Sequence, residues 1–435
     1  MDVIETDDQF EDFLSHYRKQ DRVFVDAVPA NQTLHVRRSG VSFVLVRAGD
    51  REALFPVRHN DAIGLGPKKL LKLNTGAKKY AYDKKRVLHL VPFRNLIDCK
   101  LLHYFRHNKP PSFDYEQVWP KAKNVYRPIM RLAARCQNRL DLCEEIANVS
   151  NGLVDKRPFR KYNEEVVETL FRVERSGMYS DSDDFELAFG KDLTDGDGLS
   201  YSNYNLYTQT GRPSNAYKGV NYAALDHDQR LAFQSRFDGG KMLNVDYDAF
   251  HLRIVSALTG YEAPEGSFHE HLGKLYFGEE ELTEEDYNES KKFTFQFLYN
   301  PKGIPEELLQ LQFFSSVKDL TERIWSIYQE YGVISTAKHG RQITGGNIEN
   351  FNPAKALNYV LQATSTEVVM EKAKKCMDHI NENGYKTKLV LYLYDSLLFD
   401  LHPDDPDGLV EELEEIMEDE HLTVNSKIGK TFADV

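Results

Sequence analysis

Cysteine is scarce in this chain, four residues among 435, and Cys99, Cys136, Cys143 and Cys376 contain no Cys-x-x-Cys pair. That argues against a disulfide framework or a zinc clip and for reduced thiols in a cytoplasmic setting. Cys136 and Cys143, seven apart in a helical stretch, read as one buried face. Long apolar runs are missing too, so no segment has the length of a membrane span. The opening MDVIETDDQFEDF is acidic and lacks the basic-then-apolar layout of a signal peptide. Positive charge is in deficit, with a formal net charge of −13. The sum hides an uneven distribution. Lys68, Lys69, Lys72, Lys78, Lys79, Lys84, Lys85 and Arg86 cluster with only Asp83 among them, and Arg127, Arg131, Arg135 and Arg139 recur at four-residue steps. Such a stripe is either a solvated face or a set of phosphate contacts. The acids gather in 279–286 and 411–420, where solvated helix faces are expected.

What is present points to a soluble, globular chain: 41% hydrophobic and 28% charged residues, at a length that calls for two or three domains. RVFVDAV (22–28), TLHVRR (33–38), VSFVLVR (41–47) and EALFPVR (52–58) read as strands, and so does VLHLV (87–91). A helix around LIDCKLLHYF (96–105) completes a small α/β unit. From Asn124 the period is helical as far as Gly177, which reads as a stop. The polar stretch from Ser180 to Ser202 reads as a linker. A mostly helical block follows at about 268–331, then a helix, a hairpin and a helix.

Two carboxylates carry the chemistry. Asp246 stands where the apolar strand Met242-Leu243-Asn244-Val245 gives way to a run with helical spacing, Phe250, Ile254, Val255 and Leu258. A carboxylate entering a low-dielectric core costs several kcal/mol unless it is paired or metal-bound. KLVLYLYDSLLFDLH (388–402) reads as a buried hairpin turning at Asp395-Ser396. Taken alone, Asp395 reads as an ordinary turn residue. Two such carboxylates aimed at one place would repel each other without a divalent cation between them, and hard oxygen ligands suit Mg²⁺. Such a pair can clamp two ions and promote in-line phosphoryl transfer. Lys291, Phe295 and Tyr299 recur at i, i+4 and i+8, which puts a cation and two rings on one helix face. Rings at that spacing are usually core; with a lysine beside them they could also hold a triphosphate, a sugar and a base.

Six motifs, in order, make the chain resemble family A (polymerase I-like) DNA polymerases of the compact phage type. DYDAFHLR (246–253) resembles motif A, ESKKFTFQFLYN (289–300) the fingers helix, and LYDSLLFD (393–400) motif C. TQTGRPSN (208–215), FHEHLGKLYFG (268–278) and NYVLQATSTE (358–367) are similar to three further family segments, and KIGKTFADV resembles the family's ending. The resemblance implies Asp246 and Asp395 as catalytic metal ligands for two Mg²⁺ ions, Mn²⁺ being an alternative. It implies Lys291 and His269 on the incoming triphosphate, Phe295 against its sugar and Tyr299 at the templating base. Arg212 falls near the primer–template backbone, with Asn358 and Gln362 on its minor groove.

The implied fold is α/β (α+β), a right-hand palm and fingers with a reduced thumb, preceded by a small 3′–5′ exonuclease-like domain. The boundaries follow as 1–105 for a degenerate exonuclease-like domain, 106–200 for a helical connector and reduced thumb, 201–262 for palm with motif A, 263–350 for fingers, and 351–435 for palm with motif C. The implied partners are primer–template DNA and dNTPs, with a processivity factor or helicase/primase as a further one, in phage replication in the host cytoplasm. There are departures from the family pattern. His251 replaces a glutamate, Tyr287 an arginine, Asn300 a glycine, and Tyr394 and Ser396 the histidine and glutamate around Asp395. In the exonuclease-like part, Asp26 is retained but Val28 stands where a glutamate belongs, so weak or absent proofreading is expected. A single-subunit RNA polymerase or primase-like enzyme on the same palm, and a non-catalytic replication scaffold, are the competing readings.

Overall fold

The computed structural model describes residues 1–111, 123–190, 194, 196–216, 220–300 and 306–435. The chain forms two compact units, Met1–Arg175 plus 195–197, and Ser176–Thr194 with Gly198–Val435.

In the first unit, strands β1 (Asp2–Val3), β2 (Arg22–Pro29), β3 (Val41–Ala48), β4 (Arg51–Pro56), β5 (Lys78–Ala81) and β6 (Leu96–Asp98) form one sheet in the order β1-β4-β3-β2-β5-β6. β2 runs antiparallel to β3 and parallel to β5, which is parallel to β6. Helix α1 (Asp7–Tyr17) starts at a capping box between Thr6 and Gln9 and buries Phe10, Phe13, Leu14 and Tyr17. Phe13 meets Phe55 of β4 edge-on, the centroids 5.4 Å apart. Helices α2 (Lys84–Leu90), α3 (Cys99–His107), α4 (Ile129–Val149) and α5 (Val167–Ser176) complete the unit. Gly177, at φ 66°, ends α5 as expected.

Three sequence expectations fail here. VLHLV lies in α2, because Asp83 caps that helix through the Arg86 amide and sets a helical start that a short apolar run could not reveal. TLHVRR is a loop leading into a four-residue helical turn, Val36–Ser39. The arginine stripe is not a uniform face of α4: Arg131 is exposed, whereas Arg139 is buried and ion-paired to Asp26 at 2.6 Å. The lysine cluster is likewise drawn into ion pairs, Lys69 with Asp7, Lys72 with Glu11, Lys78 with Asp155, Lys84 with Glu168 and Lys85 with Glu174.

The second unit is built on a four-stranded antiparallel sheet of β7 (Lys241–Tyr247), β8 (Lys388–Leu393), β9 (Ser396–Leu401) and β10 (Val424–Gly429), in the order β8-β9-β7-β10. The 180–202 stretch is more than a linker, because its described part holds a helix, Ser182–Phe189, and a strand, Leu199–Ser200, paired with Met178–Tyr179. Helices α6 (Phe250–Thr259), α7 (Phe268–Phe277), α8 (Glu284–Tyr299), α9 (Gln312–Tyr331), α10 (Pro353–Glu382) and α11 (Leu409–Met417) follow. α8 begins at Thr283, in a capping box with Asp286, and carries three acids in its first turn, where they complement the helix dipole. α10, capped by Asn352 with Pro353 at its first position, is the longest described helix and buries residues around most of its circumference.

Candidate active site

Asp246 and Asp395 reach one place because of the sheet register. Asp246 lies near the end of β7, opposite Ser396 of β9 on one side and Asn425 of β10 on the other. The β8–β9 hairpin turns at Tyr394-Asp395, one residue earlier than the sequence suggested, since Leu393 pairs with Ser396. The Tyr247 amide donates to the Asp395 carbonyl at 3.2 Å, which locks the hairpin tip to the end of β7. Left-handed non-glycine residues follow one aspartate and precede the other: Ala249 at φ 43° and Tyr394 at φ 67°. Such conformations cost about 1–3 kcal/mol each and survive where surrounding contacts fix them.

Both aspartates line a cleft of about 500 Å³, together with Arg212, Asp248, His251, His269, Tyr287, Lys291, Phe295, Tyr299, Ser365, Tyr394 and Asn425. Seven of the nine candidate residues therefore meet there. Asn358 and Gln362 do not line the cleft; they share a face of α10, where the Gln362 amide donates to Asn358 Oδ1 at 2.8 Å. The face of α8 is also decided. Ser290, Thr294, Phe297 and Leu298 are its buried side, whereas Lys291, Phe295 and Tyr299 look into the cleft. The Phe295 and Tyr299 rings lie nearly parallel, 6.2 Å between centroids, and His269 stands 5.2 Å from Phe295.

Electrostatics mark the carboxylates as the strained groups. Burial, then the neighbouring Asp395, pushes the Asp246 carboxyl up to about 7, with Lys291 opposing. Asp395 is solvent-accessible at the hairpin tip, yet the surrounding protein still raises its carboxyl by desolvation, with Arg212 and Lys291 opposing. Burial lowers the His269 imidazole to about 4, aided by Lys291, so this ring is neutral at neutral pH. Desolvation, then Arg212, does the same to His251.

Among the described residues no group of three or more His, Cys, Asp or Glu side chains could hold a metal. The donors on offer are instead two carboxylates that repel each other across a polar cleft. Asp248, in the same cleft, is held by Arg253 at 2.8 Å. That donor set fits hard divalent cations sharing their remaining coordination with phosphate oxygens.

Sequence reasoning noted His251, Tyr287 and Tyr394 as departures without treating them as site residues, and it overlooked Ser365 and Asn425. His251 is the most engaged of these. Its Nδ1 lies 2.6 Å from the Tyr299 hydroxyl and its Nε2 3.4 Å from Ser365 Oγ. Its signal was the replacement itself, an imidazole at a glutamate's place in the first turn of the helix that follows Asp246.

No protein-family model matches the sequence. A DNA polymerase of Bacillus phage SP01 is 24% identical over 273 residues, 52% of this chain and 29% of that protein, so the match spans under a third of the relative's length. Among solved structures, the polymerase domain of Pol1 from M. smegmatis, in complex with DNA primer–template and dNTP, matches with a TM-score of 0.78 at 15% identity, each chain covered in full. The fold is that of a polymerase domain, and both comparisons support the resemblance to family A DNA polymerases read from the motifs.

Proposed function

We propose that this chain is a template-directed DNA polymerase that adds dNTPs to a primer 3′-OH, serving phage DNA replication with little or no proofreading. The observation that carries the reading is the convergence of Asp246 and Asp395, from distant parts of the chain, on one cleft that also receives Lys291, Phe295 and Tyr299. Asp246 and Asp395 would hold two divalent cations, Mg²⁺ by preference. Bound there, the ions would acidify the attacking hydroxyl and neutralise charge on the leaving pyrophosphate.

The chain's own residues supply the rest. Lys291 offers a point charge to a triphosphate entering along α8. His269, neutral and half a turn from Ser267 at the start of α7, offers a hydrogen bond to the same phosphates. Phe295 and Tyr299 present ring faces on which a sugar and a templating base can pack. Arg212, Asn358 and Gln362 are assigned to the primer–template. Residues 201–262 and 351–435 act as palm, 263–350 as fingers, 106–200 as connector and reduced thumb, and 1–105 as a spent exonuclease-like domain. Among the described residues no helix is long and apolar enough to cross a membrane.

Primer extension with Mg²⁺ and either dNTPs or rNTPs tests the proposal. Metal-dependent extension with dNTPs is expected. Extension with rNTPs alone would move the chain to the RNA polymerase reading, and no extension with either would favour a scaffold.

A further inference from the structure

We infer that Tyr394 is a positioning residue that holds Arg212 against the backbone phosphate of a bound primer strand. The inference rests on the polymerase reading and adds to it the device that aims this cation. Two observations carry it. The guanidinium carbon of Arg212 lies 3.7 Å from the centroid of the Tyr394 ring, close enough for stacking. Tyr394 is held at φ 67°, first in a two-residue hairpin turn, where glycine, asparagine or aspartate is the economical choice.

The ring therefore occupies a backbone position that disfavours it, and the contact it makes there is with the cation. Tyr392 supports it from behind, edge-on at 6.3 Å. Arg212 itself makes no ion pair among the described residues, although it lines a cleft that contains Asp246, Asp248 and Asp395. An arginine kept by a ring face, rather than by a carboxylate, retains its in-plane N–H donors for an outside anion. Position selects the anion. Lys291 stands on α8, whereas Arg212 stacks on the residue that precedes Asp395 at the hairpin tip. The two cations thus reach the cleft from different elements. With the triphosphate assigned to Lys291, the anion left for Arg212 is the phosphodiester of the strand being extended.

The test is the salt dependence of primer–template binding by the full chain, measured by fluorescence anisotropy without divalent metal, with kcat and KM taken separately in Mg²⁺. Removing one phosphate contact lowers the slope of log K against log salt by about one. We expect that loss for Arg212→Ala and for Tyr394→Leu, each with KM for primer–template raised roughly fivefold or more and kcat changed less. The double variant should match Arg212→Ala, and Tyr394→Phe, which keeps the ring face, should match wild type. Tyr394→Gly should lose the same slope while melting no lower than wild type, because glycine relieves the left-handed strain; this variant stands in if Tyr394→Leu does not fold. A Tyr394→Leu protein with the wild-type slope and KM, or effects that add fully to those of Arg212→Ala, would overturn the inference. If the wild-type chain neither extends primers nor binds them salt-sensitively, the polymerase reading fails and the inference with it.

Discussion

A carboxylate whose protonation equilibrium sits near neutrality, as at Asp246, is a group awaiting a counter-charge. Replacing Asp246 or Asp395 by Ala removes half of the anionic donor set, with no spare carboxylate among the described residues of the cleft, since Asp248 is committed to Arg253. Extension should fall by about a thousandfold or more, while primer–template binding without metal stays within a few-fold of wild type. Extension above about a tenth of wild type in both variants would remove the metal assignment. Phe295 permits a second residue-level test. A bare ring against the sugar cannot replace the hydrogen bond lost with a missing 3′-OH, whereas a tyrosine hydroxyl can. Phe295→Tyr should therefore raise ddNTP incorporation relative to dNTP by roughly 5- to 150-fold, the equivalent of about 1–3 kcal/mol. Competitive incorporation reads it directly, and an unchanged ratio would mean that Phe295 does not meet the sugar. At this scale the sequence was most legible where chemistry repeats at a fixed spacing. The Lys291, Phe295, Tyr299 face could be named in advance; the contact of His251 with Tyr299 could not, because it joins two helices far apart in the chain.

Between elements, charge that looks like surface in the sequence can be interior in the fold. Glu174 of α5 is buried among Lys85 and His89 of α2, its Oε2 2.9 Å from His89 Nε2. Burial would raise its carboxyl, but Lys85 and His89 outweigh that and hold it below the usual value of 4.5. A carboxyl lowered in the folded state contributes stability above its unfolded value and loses it as pH falls through the folded one. Glu174→Gln should accordingly cost about 3–5 kcal/mol near neutral pH, with the difference from wild type narrowing on acidification below about pH 4. Urea titrations of both proteins at pH 7 and at about pH 3 give the comparison; a gap independent of pH would count against this ion pair. The same physics bears on the retained Asp26. Its carboxylate accepts from the Ala27 amide at 3.0 Å and pairs with Arg139 of α4, so it has little left to give a metal. Mg²⁺-dependent removal of a mismatched 3′ nucleotide is expected to be absent, and such removal, lost in Asp26→Asn, would refute the proposed erosion. Neither pair was visible in sequence, where Lys85 was one of a run of lysines and Arg139 the last of a stripe. Helical period places residues on a face, but only packing decides which end of that face is covered.

For the molecule as a whole, the question is how much positive charge is left to grip a duplex. In the sequence, Arg127, Arg131, Arg135 and Arg139 read as either a solvated face or a set of phosphate contacts, and the resemblance implied a reduced thumb. Inside the first unit part of that supply is taken: Lys69, Lys72, Lys78, Lys84, Lys85 and Arg139 are ion-paired, and Arg47 binds Glu52, Asp141 and Glu144. Exposed pairs of this kind are weak, about 0–1 kcal/mol each, so a polyanion could compete for Lys72 or Lys78 but not for the buried Lys85 or Arg139. Each phosphate neutralised contributes about 0.9 to the slope of log affinity against log salt, so cations held in buried pairs add nothing to the grip and the slope falls accordingly. The isolated protein is thus expected to dissociate after short additions, and a partner that encloses the duplex should lengthen its products without altering single-nucleotide incorporation. Extension of a labelled primer with a trap of unlabelled DNA, at physiological salt, measures the product of one binding event. Products of many hundreds of nucleotides under the trap would show that the chain grips the duplex through surfaces other than these basic stretches.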